Sequence, residues 1–182
     1  MDNGASSYRR YLDGDESAFD EIVKELFDSL VFFIDRYVQD HHAAEDIAMD
    51  AFADLVVHKS RYHFGVSLKT YLFMIGRSRA LNYIKRRRRI VMEPLNEAET
   101  LAGWQSMEEQ ILADESKRAV NDALEQLPEE MRVAVHLKYF EGLSYEEIAR
   151  VMKRTKKQVD NLLYRAKKVL RATLGEEGAN LL

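Results

Sequence analysis

At 182 residues the chain suits one mid-sized domain or two small ones, and 46% hydrophobic with 32% charged residues excludes a disordered chain. No apolar run approaches the ~18 residues of a membrane span, Met1 to Arg10 is polar and lacks a secretion-signal core, and the lack of cysteine excludes disulfides, thiolate metal sites and cysteine nucleophiles; a cytoplasmic location is expected. The net charge of −4 argues weakly against a nucleic-acid partner, but that average hides charge blocks.

Asp13 to Asp28 carries seven acids against the single base Lys24, and Lys85 to Arg89 is five consecutive cations. Glu93 to Glu115 has seven acids and no base, whereas Arg150 to Arg171 has nine Lys or Arg and one acid, Asp160. Separated acidic and basic segments point to at least two kinds of partner.

With eight Gly and two Pro there are few breakers, and no stretch alternates with period two, so the sequence predicts an all-α fold. Ser17 to Tyr37 is the first long helix, with Phe19, Ile22, Val23, Leu26, Phe27, Leu30 and Ile34 at three- and four-residue spacing. Ala43 to Lys59 is the second. Ile47, Ala48, Ala51, Phe52 and Leu55 share one face, and Asp46, Asp50 and Asp54 lie on the opposite one. Arg61 to Ser67 reads as a loop, and Lys69 to about Arg89 as a third helix that begins aromatic and ends basic. Pro94 closes this first unit at about residue 92. An acidic linker over 93–112 and a second helical unit over 113–182 follow, the latter already helical from about Met107. Pro128 starts a helix whose first residues, Glu129 and Glu130, suit the positive end of the helix dipole. The tail from Gly175 is expected to fray.

The strongest local signal lies within 127–172. Gly142-Leu143 interrupts a helix, and Ser144-Tyr145-Glu146-Glu147 then forms a capping box, with Ser144 as cap and Glu147 reaching back. Thr155-Lys156-Lys157-Gln158 is a second capping box, three residues after the first helix ends. A short helix, a tight turn and a second capped helix make a helix-turn-helix. Val159, Leu162, Leu163, Ala166 and Leu170 hold the second helix on its core, leaving Lys156, Lys157, Asp160, Asn161, Tyr164, Arg165 and Lys168 for the exposed face. Lys and Arg neutralise phosphates, and Asn and Arg pair with base edges, which is the chemistry of a major-groove helix. Asp160 opposes that field; it either accepts from a cytosine amino group or pairs with a neighbouring Lys. The plainer alternative is a solvated cationic helix on an all-α domain.

Leu127-Pro128-Glu129-Glu130, Tyr139 to Ala149 and Tyr164-Arg165-Ala166-Lys167 resemble the fourth conserved region of bacterial sigma factors. Ala44 to Phe52 resembles the second region, and Ser67 to Leu72 with Asn82 to Arg87 its strand-opening part. Both blocks occur in the family's order and leave no room for its other domains, so the chain resembles the extracytoplasmic-function branch, with two small helical domains joined by a linker. The resemblance implies that Asp46, Asp50 and Asp54 dock on core RNA polymerase. It also implies that the 61–67 loop and third helix open the minus-10 element and capture a flipped base, through Tyr62, His63, Phe64, Ser78, Asn82, Lys85, Arg86, Arg87 and Arg88. Without it, Asp46, Asp50 and Asp54 read as a solvated face, and Tyr62, His63 and Phe64 read equally as core. Tyr71 and Phe73 read as core. The 155–171 helix would bind the minus-35 element, and the acidic linker would thread towards the polymerase channel.

The chain departs from the pattern at Tyr71, where the branch commonly has Trp, and at Ser78, where it commonly has an Asn associated with minus-10 bases. Asp160 and Leu162 replace usual basic residues. These departures leave the promoter sequence open. The implied partners are core RNA polymerase, promoter DNA and an anti-sigma factor, with the chain monomeric when free or in a 1:1 complex. No catalytic activity, cofactor, metal or small-molecule substrate is expected. A metal-dependent enzyme built on His41, His42 and Asp46 would need a second His/Asp cluster, and none follows. A conventional helix-turn-helix regulator is the other reading. It would bind duplex operator DNA alone and would need neither the acidic ridge nor the Arg-rich helix end. A protein-protein adaptor with an incidental basic helix would tolerate neutralisation of Arg165 and Lys168.

Overall fold

The apolar rows of the first three expected helices assemble into one core. A computed structural model describes residues 4–91, 120 and 122–179, so the acidic linker and the expected helical start near Met107 lie outside the described residues. The chain divides into two compact units, Met1–Ala102 and Gly103–Leu182.

In the first unit, α1 spans Ala5–Leu12, α2 Ser17–Val38, α3 His41–Val57 and α4 Leu68–Val91. Ile22, Leu26, Leu30, Phe33 and Ile34 of α2 are buried against Ala44, Ala48, Ala51 and Leu55 of α3 and Leu68, Leu72 and Phe73 of α4. Each large side chain so buried contributes about 1.5–3 kcal/mol. The small residues decide how near the helices come. A β-carbon on Gly76 of α4 would lie 2.9 Å from Leu30 Cδ1 and 3.1 Å from Ile34 Cδ1, so α4 meets α2 where only glycine fits without displacement. Asp40 caps α3 by accepting from the Ala43 amide at 3.1 Å, which starts that helix two residues before the expected Ala43.

Helix α1 is absent from the sequence expectation, where Met1 to Arg10 reads only as polar. Eight residues are too few to hold a helix by propensity; this one is held by packing. Tyr8 is completely buried, and its hydroxyl donates to the Leu55 carbonyl at 2.9 Å, one of the carbonyls that α3 leaves unpaired at its end. Burial, with smaller contributions from neighbouring tyrosines, pushes the Tyr8 phenol up to about 12, so it stays protonated as the donor.

The second unit contains a helical stretch at 122–125, then α5 Glu129–Val135, α6 Tyr145–Met152 and α7 Lys156–Ala179. Pro128 precedes α5 as expected. That helix widens into a π turn over His136–Phe140 before Gly142 breaks the chain at φ 68. Within the turn His136 is buried, its Nε2 lies 3.1 Å from Glu141 Oε1, and its ring stacks on Phe140. Met131, Ala134, Leu137, Leu143, Ile148, Met152, Val159, Leu163, Ala166 and Leu170 form the core. Helix α7 continues past Gly175 to Ala179. Gly175 and Gly178 each cost a helix only about 1 kcal/mol, and Glu176 and Glu177 are good helix formers.

Candidate polymerase and nucleic-acid interfaces

Asp46, Asp50 and Asp54 recur every four residues, so one face of α3 carries all three. They are not equivalent. Arg79 of α4 forks across to the ridge: its Nη2 lies 2.6 Å and its Nε 3.2 Å from Asp54, and its Nη1 lies 2.9 Å from Asp50. Asp54 is mostly covered, at 25% side-chain exposure, whereas Asp50 is 65% exposed. Asp46 is exposed beyond the fork. Met49 and Val57 stand out from the same helix at 60% and 70% exposure. An open cleft of about 700 Å³ runs beside the ridge, lined by Asp40, His42, Asp46, Met49, Asp50 and Tyr83. Carboxylates beside exposed apolar side chains are the ingredients of a protein-docking surface. His41 and His42 both lie near Glu45, at 3.6 and 3.5 Å. Among the described residues no group of three His, Asp or Glu is placed to hold a metal ion.

The 61–67 loop leaves α3 through a short turn at Lys59–Arg61. Its aromatic residues are divided in their roles. Tyr62 is buried, its hydroxyl donates to the Val66 carbonyl at 2.7 Å, and its ring lies 4.7 Å from Phe64 and 5.1 Å from Tyr71. Tyr62 therefore props the loop from beneath. His63 is exposed, and Phe64 is half-buried with a left-handed backbone at φ 56. Ser67 ends the loop by capping α4, accepting from the Thr70 amide at 3.1 Å. As expected, Phe73 is fully buried; Tyr71 is half-buried, and burial raises its phenol pKa. Ser78, Asn82, Lys85 and Arg86 recur at helical spacing along α4 and are all exposed, as are Arg87 and Arg88. This places a polar row ahead of a cationic helix end.

In the second unit both capping boxes are formed. Ser144 accepts from the Glu147 amide at 3.3 Å, and Glu147 accepts from the Ser144 amide at 2.9 Å. Thr155 and Gln158 exchange the same pair of bonds at 3.2 and 2.8 Å. The turn between them contains Lys153 at φ 52, and the Arg154 amide donates back to Ala149 at 2.9 Å. Sequence reading finds the two boxes but misses the left-handed lysine, because that position usually announces itself with glycine.

The buried row of α7 is Val159, Leu163, Ala166 and Leu170, and Lys157, Asp160, Asn161, Tyr164, Arg165 and Lys168 are exposed. Lys168 Nζ lies 5.9 Å from the Tyr164 ring centre. Lys156 is also exposed but bonded to Glu146 of α6, and Arg154 is bonded to Glu130 of α5. The Lys156–Glu146 hydrogen bond raises the lysine pKa and lowers the carboxyl, with Asp160 adding a smaller upward push on Lys156.

A capped helix-turn-helix that buries one row and offers cations, Asn and Tyr on the other defines a DNA-binding protein. The family model for Sigma-70, region 4 matches residues 117–170, and that for Sigma-70 region 2 matches residues 22–90. The chain is 31% identical over 166 residues to the RNA polymerase sigma-H factor of Pseudomonas aeruginosa, covering 86% of each chain. It is 26% identical to the ECF RNA polymerase sigma-E factor of Escherichia coli, again covering 86% of each. Among solved structures, the fold is similar to the sigma factor RpoE of Bartonella quintana, solved in complex with the anti-sigma factor NepR. The TM-score is 0.66 at 22% identity, covering 87% of this chain and 97% of that one. The chain belongs to the sigma-70 family of RNA polymerase sigma factors, in its extracytoplasmic-function branch.

Proposed function

We propose that this sigma factor divides its work among three surfaces. The α3 ridge, Asp46, Asp50 and Asp54, docks on core RNA polymerase. The 61–67 loop and the exposed row of α4, Ser78, Asn82 and Lys85 to Arg88, take the opened minus-10 element. In that loop His63 and Phe64 present to the strand and Tyr62 supports them. The outer face of α7, Lys156, Lys157, Asp160, Asn161, Tyr164, Arg165 and Lys168, reads the minus-35 duplex. Residues 1–92 and 113–182 are the two functional domains, and 93–112 is the tether between them.

The observation that carries this reading is the exposed row Lys157, Asn161, Arg165 and Lys168, directly opposite a buried row and directly after a capped turn. Such a helix enters a major groove with its cations on the flanking phosphates. The ridge on α3 supports a second, protein partner, and the cationic end of α4 supports a single strand. The protein works in the cytoplasm, where polymerase is, and performs no chemistry of its own. No helix among the described residues is long and apolar enough to cross a membrane. An anti-sigma factor covers these surfaces in a 1:1 complex, as NepR accompanies the Bartonella quintana protein, and the chain is otherwise a monomer.

Run-off transcription with core polymerase on genomic fragments tests the whole reading. Discrete starts that depend on added protein are expected, and they reveal both promoter elements. Tight binding to a duplex site by the protein alone, with no added initiation, would assign the chain to the conventional regulators instead.

A further inference from the structure

The 61–67 loop is flanked by a helix that sequence patterning does not announce. Arg9 of α1 lies over the Phe64 ring, its guanidinium carbon 4.7 Å from the ring centre. Tyr8 packs against Tyr62 at 5.5 Å and Phe64 at 6.2 Å. Lys59 lies 4.4 Å from the Tyr11 ring centre, so a second cation joins α1 to the start of the loop. Phe64 occupies the left-handed region at φ 56, which costs an L-residue about 1–2 kcal/mol. Such a conformation persists where the surroundings over-determine it. Here those surroundings are Tyr62 of the loop itself, at 4.7 Å, and Tyr8 and Arg9 of α1.

The two adjacent arginines of α1 differ in what they hold. Arg10 is taken up by carboxylates, 2.8 Å from Asp15 and 2.9 Å from Glu21. Arg9 is exposed and makes no ion pair among the described residues. One side of its guanidinium rests on an aromatic ring of the loop, and the rest is open to solvent. A guanidinium so placed can donate to a phosphate while stacking with a ring or a base, and it is more weakly hydrated than an ammonium. Lys59 and Arg61 are exposed at the start of the loop, so further cations stand near it in sequence.

We infer that Arg9 contacts the captured single strand, which makes α1 a component of the minus-10 site and not merely a brace for α2. This rests on the assignment of the 61–67 loop to the opened minus-10 element. The test uses the complete chain with core polymerase on a promoter mapped by run-off, with a pre-opened bubble across minus-10, and measures affinity against salt. One single-strand phosphate contact contributes a log–log slope of about 0.7, or about fivefold in affinity at 0.1 M salt. Arg9→Gln is expected to flatten the slope by that amount and weaken binding accordingly. Arg10→Gln removes the same charge one residue away and is expected to leave the slope unchanged. Wild-type affinity and slope in Arg9→Gln overturn the inference. So does weaker binding with an unchanged slope, which would make Arg9 only a support for Phe64. His63→Ala separates this from the underlying reading. A loss in His63→Ala with an indifferent Arg9→Gln removes the inference alone, and indifference of both variants removes the loop assignment with it.

Discussion

The turn between α6 and α7 aims a helix proposed to bind DNA, and the segment between α3 and α4 carries residues proposed to bind it, yet different physics holds each in shape. The first is three residues long and is fixed by hydrogen bonds to its immediate neighbours: the Thr155–Gln158 capping box, the Lys153 amide on Arg150 and the Arg154 amide on Ala149. The second is fixed by rings that come from elsewhere in the chain. Tyr62 is packed between Tyr8 of α1 and Tyr71 of α4, with Phe64 and a hydroxyl bond to Val66 adding local contacts. A capped turn tolerates loss of one bond because the other local bonds remain. A packed loop depends on every ring, because each holds a partner in place.

The largest expected effect follows from that dependence. Tyr62→Ala removes a buried aromatic side chain and is expected to cost about 3 kcal/mol or more, read as a lower urea midpoint. The same variant is expected to abolish strand opening at minus-10, read by permanganate reactivity, while core polymerase binding persists. Tyr62→Phe keeps the ring and loses only the bond to Val66, at a cost of about 1 kcal/mol. Full opening by Tyr62→Ala would show that the rings do not shape the site. Next in size is the double variant Arg165→Gln/Lys168→Gln on α7. Two duplex phosphate contacts carry a combined slope of about 1.8, or about sixtyfold at 0.1 M salt. Binding of holoenzyme to a minus-35 duplex measures it, and an unchanged salt slope would put these two cations off the DNA.

The same contrast explains what was legible in the sequence. Capping boxes, Pro128 at a helix start and the apolar rows of α2, α3 and α7 are local patterns, and the fold class follows from them. The exposed face of α7 follows too, because burying Val159, Leu163, Ala166 and Leu170 leaves one face outward. Helix α1 is not local in this sense: Tyr8 is buried by α3, and nothing within Ala5–Leu12 announces it. The fork from Arg79 to Asp50 and Asp54 spans 29 and 25 residues, so an acidic ridge that reads as uniform is graded in the fold. Tyr62, His63 and Phe64 are consecutive, and only tertiary packing sorts the buried one from the exposed one.

A medium effect sharpens the comparison from the other side. Thr155→Ala removes one side-chain cap of this turn, at a cost of about 1 kcal/mol, and Gln158 still accepts from the amide of residue 155. Duplex binding at minus-35 is therefore expected to fall only in proportion to stability, with its salt dependence intact. A loss as large as that of Arg165→Gln/Lys168→Gln would mean that the turn is not redundantly held.

The smallest effect concerns the Lys156–Glu146 bond, which ties a cation of α7 to α6. Both groups are exposed, so the bond adds little to stability, and its worth lies in where it keeps Lys156. Glu146 has a carboxyl pKa lowered from its ordinary 4.5, chiefly by the hydrogen bond from Lys156. A lowered carboxyl pKa contributes stability that is complete above the ordinary value and is lost as pH falls through the lowered one. At neutral pH the bond is thus fully formed and competes with phosphate for Lys156. Glu146→Gln removes that competition and one repulsive charge beside the DNA, so duplex affinity at minus-35 is expected to rise about two- to threefold at low salt. The gain should shrink as pH approaches the carboxyl range, because protonation of the wild-type Glu146 then does what the substitution does. A fall in affinity would reverse the assignment: Glu146 would be aiming Lys156 at its phosphate, and even this turn would depend on a contact beyond its caps.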